Sequence, residues 1–507
     1  MNAPAPCLIH NGEPVALSRV PRLSWADFRE TVLQACEREG RVAALFGQPL
    51  SDDTLRLWAV LAHDDTGQLQ LGYTEVGDAY PSLTPACPQT HWFEREIAEQ
   101  WGVKPEGHPW LKPLRFHPSH RSGKDAWDRA AEVAIEPCVT DFFRVEGDEI
   151  HEVAVGPVHA GIIEPGHFRF QCHGEHVFHL EIALGYQHRG IERALVGGPN
   201  GRTLPYMETL AGDTTIGHTL AYCEAVEALA RCSVPARAQV LRTVALELER
   251  LANHTGDLGA LANDVGYQPT ASFCGRIRGD FLNMTALLCG NRFGRGFVRP
   301  GGVLFDLEES RRADLLQRLT AAAADTANAV NLLWNTSSVR ARFENTGWLS
   351  RDHALALGLV GVAARASGVE RDVRAQFPSG HYRFAQIHVS GDAAGNVFAR
   401  AYVRWQEIQR SLAFLQEQLR HLPATPLQTT PGALATESVV VTLSEGWRGE
   451  ICHVVLTDPA GRWAHYKVVD PSFHNWMGLA LALRDQQISD FPLCNKSFNL
   501  SYCGHDL

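Results

Sequence analysis

Apolar residues recur at helical spacing over residues 25–39, where Trp25, Phe28, Val32, Leu33 and Cys36 fall on one face, and this period predicts an amphipathic helix. Two apolar runs, 55–62 and 69–74, flank His63-Asp64-Asp65-Thr66-Gly67, a polar stretch ending on glycine that suits a hairpin. The proline-fixed run Tyr80-Pro81-Ser82-Leu83-Thr84-Pro85 reads as extended, and a helix follows from Trp92 and stops at Gly102. These elements make a small α/β domain over residues 1–120. Residues 121–150 are charged and aperiodic and read as a linker. The remaining span, 151–507, opens with a hairpin, 168–171 and 177–184, on the front of a helical body. Long helical periods follow at 217–230, 237–261, 307–333 and 397–419, and a Pro/Thr-rich connection, 423–431, leads to strands at 438–443, 450–457 and 463–469. The fold class is therefore α+β: a small N-terminal α/β domain, then a mostly helical bundle domain with peripheral β-hairpins.

Composition narrows the functional classes. The 507 residues exceed one ordinary core, and 45% hydrophobic with 20% charged residues is a globular balance that excludes long disorder. A net charge of -11 argues against nucleic acid as a partner, because such proteins neutralise phosphates with basic residues. No run approaches the roughly 18–20 apolar residues of a spanning helix; the nearest, around 354–364, is short and Gly-rich. The first residues, MNAPAPCLIHNGEPV, lack a basic and apolar leader, which reads as cytoplasmic. Twelve cysteines raise the question of metal or redox motifs, yet no C-x-x-C pair occurs. Cys223, Cys232, Cys274 and Cys289 read as small core residues. Six histidines, His159, His167, His173, His176, His179 and His188, crowd one stretch. On an unbroken hairpin His176 and His179 have opposite parity and face opposite ways, so no bound metal is expected there. No Gly-rich dinucleotide fingerprint follows a strand.

Two sets of strings carry a resemblance. Residues 80–110, YPSLTP and then HWFEREIAEQWGVKPEGHPWLKPL, resemble the C-type, 30 kDa-like subunit of respiratory complex I and its hydrogenase counterparts. GPVHAGIIEPGHFRF, LGYQHRGIE, LPYMETLAGD, AYCEAVEAL, RPGGVLFDL, ARAYVRWQEI and EGWRGE, spread in order over 156–450, resemble the D-type, 49 kDa-like quinone-site subunit and, more closely, the large subunit of membrane-bound nickel–iron hydrogenases of the hydrogenase-4 component G kind. The resemblance covers most of the chain. It implies a subunit of a membrane-associated respiratory oxidoreductase that couples electron transfer to proton movement, on the cytoplasmic side of the cell membrane. It further implies a small iron–sulfur subunit and membrane-integral proton-translocating subunits as partners, with the cluster in the partner and a quinone as a possible ligand. The alternative is a non-catalytic structural or conformational-coupling scaffold, and an active hydrogenase is a distant third.

Fold does not fix chemistry, which belongs to sites. In the hydrogenases the first pair of thiolate ligands lies in E-R-I-C-G-x-C-G-x-x-H. Laid on residues 208–218 (ETLAGDTTIGH), this keeps the Glu, the central Gly and the His but puts the ligands on Ala211 and Thr214. The second pair, in D-P-C-x-x-C, falls on Ser501 and Gly504, with Cys503 out of register, and a cavity is expected between Glu164, Asp213 and a C-terminal strand. Nickel and iron need soft thiolates, so no metal is expected. The complex I quinone positions fall on Pro165 and Asn200, which lack the imidazole and the phenol used there. Glu164 matches the Glu that carries protons from the hydrogenase metal; it either relays protons or serves locally, on the Pro165-Gly166 turn or against Arg169. His167, Asp213 and His218 are further relay candidates. His188 and Arg189 match a loop facing the partner's cluster, or else Arg189 starts a helix in a salt bridge.

Overall fold

The computed structural model describes residues 5–50, 53–130 and 132–507. The N-terminal unit is a four-stranded antiparallel sheet in the order Cys7–Ile9, Gln68–Val76, Leu55–His63, Arg41–Pro49. The helix Trp25–Glu37 packs on it through Phe28, Val32 and Ala35, and starts at Ser24, whose side chain accepts the Asp27 N–H. The expected hairpin closes between His63 and Gln68, with Gly67 at φ +65°. The second helix, His91–Trp101, ends as expected at Gly102 in the left-handed region. Strand Arg41–Pro49 was not anticipated. It opens on an arginine and carries Gly47 and Gln48, which blur its apolar run, but Arg41 is buried against Asp64 and Glu450.

Glu450 lies some 400 residues away from Arg41, so the two halves interlock. Val15–Ala16 forms the edge of a second antiparallel sheet with Ser438–Glu445, Glu450–Thr457 and Trp463–Val469. This sheet is interior: every residue of 438–445 and 450–457 is buried. Helix Thr215–Leu229 packs against it, and the bundle of Ala236–Asp264, Gln268–Cys289, Glu309–Trp334 and Val397–Arg420 builds outward. Helix Gln268–Cys289 escapes the sequence reading because Gly275, Gly279 and several Ser and Thr residues lower its intrinsic propensity; packing against both neighbours overrides that cost.

A third sheet joins Ile150–Val155, His167–His173 and His176–Ala183. Its register shifts between Val177 and His179, and the extra residue reverses the parity of the strand. Val177 and Leu180 both point inward while His176 and His179 share the outer face, a correction to the alternation expected for an unbroken hairpin. Among the described residues of 107–149 there is neither helix nor strand; the segment is held by Lys112 against Glu181 and by Arg115 against Glu96 and the His505 carbonyl. The C-terminus is helical, Phe491–Phe498 and then Tyr502–His505, where a strand was expected. Ser501 explains the turn, because its side chain caps the last helix. Among the described residues no helix is long and apolar enough to cross a membrane.

Candidate functional site

Two segments meet beside the interior sheet: the loop 208–214, which leads into helix Thr215–Leu229, and residues 499–506, which include the short helix Tyr502–His505. Arg448 joins them. Its Nε donates to the Asn499 carbonyl, its terminal nitrogens hold the two Asp213 carboxylate oxygens at 2.5 and 2.8 Å, and its guanidinium lies over the Trp447 ring. The Asp213 carbonyl accepts from Trp447 Nε1 and Asn253 Nδ2. Asp213 is therefore a neutralised, fixed carboxylate.

Ala211, Thr214, Ser501 and Gly504 are all buried around this junction. Ser501 Oγ accepts the Gly504 N–H at 3.0 Å and lies 3.4 Å from the Cys503 sulfur. Cys503 faces Glu164, and burial pushes its thiol up to about 12, so it is protonated at neutral pH. A Cβ on Gly504 would lie 2.6 Å from the Asp470 carboxylate carbon. A nickel–iron centre does not fit this donor set: two positions have no donor atom, two offer hydroxyls, and the nearby sulfur keeps its proton. Among the described residues no group of three or more His, Cys, Asp or Glu is placed to hold a metal ion.

Glu164 is half-buried and reaches the C-terminal turn, accepting the Tyr502 N–H at 3.1 Å and Gln187 Nε2 at 3.3 Å. It does not pair with Arg169, which bonds Glu152 and donates to His167 Nε2 at 3.1 Å. His167 also bonds the Gly156 carbonyl, and burial lowers its pKa. It thus sits in the outer sheet's network, apart from the junction.

His218 has another setting. Its Nε2 is 2.9 Å from Asp470 Oδ2 and its Nδ1 is 3.2 Å from His453 Nε2, while His453 Nδ1 is 2.8 Å from the Tyr466 hydroxyl. All four groups are buried. The chain Asp470–His218–His453–Tyr466 is a continuous hydrogen-bonded path from the C-terminal turn into the sheet. Burial, reinforced by the neighbouring His218, holds His453 well below the usual imidazole range. Burial works against the Asp470 anion, but the bond from His218 and the Arg448 charge keep its pKa below the usual carboxylate value. His453, Asp470 and Tyr466 were not singled out by sequence. His453 and Tyr466 lie in buried strands that carry no alternating polar signal, and Asp470 caps helix Pro471–Ala482 by accepting the Ser472 N–H, so only the tertiary fold brings the three together.

Glu249 was also missed. It accepts the N–H groups of Ile216 and Gly217 at 2.7 and 3.2 Å, and burial, with Asp213 nearby, pushes its carboxyl up to about 8. A cavity of about 10 Å³, bordered by Asp213, Glu249, Asn253 and Arg292, has room for about one water.

His188 bonds the Asp506 carbonyl and stacks on His117 at 4.7 Å; burial, Arg115 and His117 push it down to about 4, leaving it neutral. Arg189 forms no salt bridge among the described residues. It is exposed and donates to the carbonyls of Thr209 and Leu210, tying its loop to residues 208–214. Asn200 is exposed and its Oδ1 accepts the Arg202 N–H beside helix Thr203–Met207, while Pro165 is half-buried.

The sequence is similar to those of known proteins. Residues 53–124 match the family model of the respiratory-chain NADH dehydrogenase 30 Kd subunit, and residues 264–436 that of the 49 Kd subunit. Formate hydrogenlyase subunit 5 of Escherichia coli (strain K12) is 28% identical over 435 residues, covering 83% of this chain and 76% of that protein. Hydrogenase-4 component G of the same organism is 28% identical over 432 residues, covering 83% of this chain and 75% of its own. The carbon monoxide-induced hydrogenase of Rhodospirillum rubrum is 30% identical over 350 residues, 69% of this chain and 97% of that protein. The chain therefore belongs to the family that unites these hydrogenase components with the 30 and 49 kDa subunits of respiratory-chain NADH dehydrogenase.

Proposed function

We propose that the chain is a fused peripheral subunit of a membrane-associated respiratory oxidoreductase, on the cytoplasmic side of the membrane, whose degenerate nickel–iron pocket handles protons without a metal of its own. A small iron–sulfur subunit docks at the Arg189 loop and carries the cluster, and membrane-integral subunits take up the proton movement; a quinone is the ligand class the family offers, although Pro165 and Asn200 lack the groups that hold it in complex I. Within this chain Glu164 exchanges protons at the edge of the C-terminal turn. His218, between Asp470 and His453, passes a proton along the buried path by exchanging which ring nitrogen carries it. The observation that carries the reading is the place of Asp470 beside Gly504: a carboxylate held by an imidazole stands where a ligand side chain on Gly504 would begin.

The second reading, a scaffold without chemistry of its own, is favoured by the Arg448–Asp213 pair, which locks the two loops together. One experiment separates the readings. The assembled complex, with its partner subunits, is purified and assayed for bound nickel, hydrogen turnover and quinone reduction, as wild type and as Glu164→Gln. Proton handling predicts nickel far below one per chain and quinone reduction slowed roughly 100-fold by the substitution at unchanged thermal stability. An unaffected rate supports the scaffold, and stoichiometric nickel with hydrogen turnover overturns both.

A further inference from the structure

We propose that Cys36 and Cys87 form a redox-modifiable dithiol that takes a low-molecular-weight disulfide as its reactant and closes to an intramolecular disulfide. Their sulfurs lie 3.4 Å apart, although 51 positions separate them in the chain. The bonded distance is about 2.05 Å, so closure needs roughly 1.4 Å of approach. Cys36 stands in the last turn of helix Trp25–Glu37, half-buried, where the surrounding Glu37 and Arg38 are exposed. Cys87 is buried and fixed: its N–H donates to the Leu83 carbonyl, and its own carbonyl accepts from the N–H and hydroxyl of Thr90. The approach therefore falls to the helix end.

The two thiols differ in the way an attacking and a resolving cysteine must. The hydrogen bond from Cys87, together with the Arg371 charge, pulls Cys36 below the usual thiol range, while the same bond and burial push Cys87 up. A cleft of about 390 Å³ opens just past the helix end, at Arg38, Glu39, Arg351 and Arg371.

The exchange is balanced. Cys36 thiolate attacks one sulfur of the disulfide RSSR, forming a mixed disulfide and expelling RS⁻. Cys87 gives up its proton, attacks the Cys36 sulfur and expels the second RS⁻. The two cysteines lose two protons and two electrons, and RSSR leaves as two RSH. The product staples the helix end to the segment whose next residue but one, Gln89, accepts the Val42 N–H and donates to the Leu355 carbonyl of the second half.

The test treats the full chain with oxidised glutathione, alkylates the remaining thiols and maps the peptides by mass. The wild type is expected to give a Cys36–Cys87 cross-linked peptide lighter by two hydrogens, reversed by dithiothreitol. Cys87→Ser should retain a stable glutathione adduct on Cys36, and Cys36→Ser should leave Cys87 unmodified. Recovery of both cysteines as alkylated thiols in the wild type, or a glutathione adduct that persists on wild-type Cys36, overturns the proposal without recourse to either variant.

Discussion

A side chain begun at Gly504 would meet the carboxylate carbon of Asp470 at 2.6 Å, and Asp470 has nowhere to retreat because His218 and the Ser472 N–H hold its two oxygens. Glycine is required here by space. Gly504→Cys is therefore expected to destabilise the chain by about 1–3 kcal/mol through overpacking. Thermal unfolding measures it. Installing cysteines together at 211, 214, 501 and 504 should not yield stoichiometric nickel, and a metal content near one per chain would refute the account of this turn.

The Arg448–Asp213 pair is asymmetric: Arg448 is buried and Asp213 is about a third exposed. Removing the carboxylate leaves a desolvated guanidinium, whereas removing the arginine leaves a carboxylate that water can reach. Asp213→Ala is expected to cost stability, and in the double variant with Arg448→Ala the two losses should fall short of additive by about 1–3 kcal/mol. Denaturant unfolding of the four proteins measures this coupling. Additive losses would mean that the two groups do not act as a pair.

How much of this was legible beforehand depends on the distance over which each feature is encoded. The face of Phe28 and Val32, the hairpin closing before Gln68 and the stop at Gly102 are local patterns, and the sequence reads them directly. The loops bearing Ala211 and Ser501 were found by resemblance, and the fold brings them together. What stayed hidden is held by long-range pairs. Arg448 and Asp213 are 235 positions apart, and His218 and Asp470 are 252 apart. Neither spacing leaves a periodic trace. The reversed parity at His179 was hidden as well, because a bulge adds one residue without any change of composition.

Burial keeps several histidines uncharged. It pushes His91 and His474 down to about 3, and His108, His120, His188 and His465 to about 4. In the unfolded chain the same groups titrate near 6.5. Between pH 6.5 and about 4 the unfolded state therefore binds more protons, and stability falls as the pH falls, by about 1.4 kcal/mol per pH unit for each fully shifted group. The melting temperature should drop steeply from pH 7 to pH 5 with uptake of several protons on unfolding. A flat profile would show that these rings are charged or solvated in the native state.

Glu249 contributes with the opposite sign. Its carboxyl is raised to about 8 in the fold and titrates near 4.3 when unfolded, so between those values the native state holds the extra proton. Its contribution is complete below the unfolded value and is lost as the pH rises to about 8, at about 1.4 kcal/mol per pH unit. Glu249→Gln preserves an acceptor for the Ile216 and Gly217 N–H groups and cannot ionise. The variant should thus gain stability relative to wild type as the pH is raised from 5 to 8, with the difference levelling off above 8. Paired melting curves across that range read the difference directly, cancelling the histidines common to both proteins. A difference independent of pH would place the native Glu249 pKa at its ordinary value and remove this residue from the proton-holding groups beside Asp213.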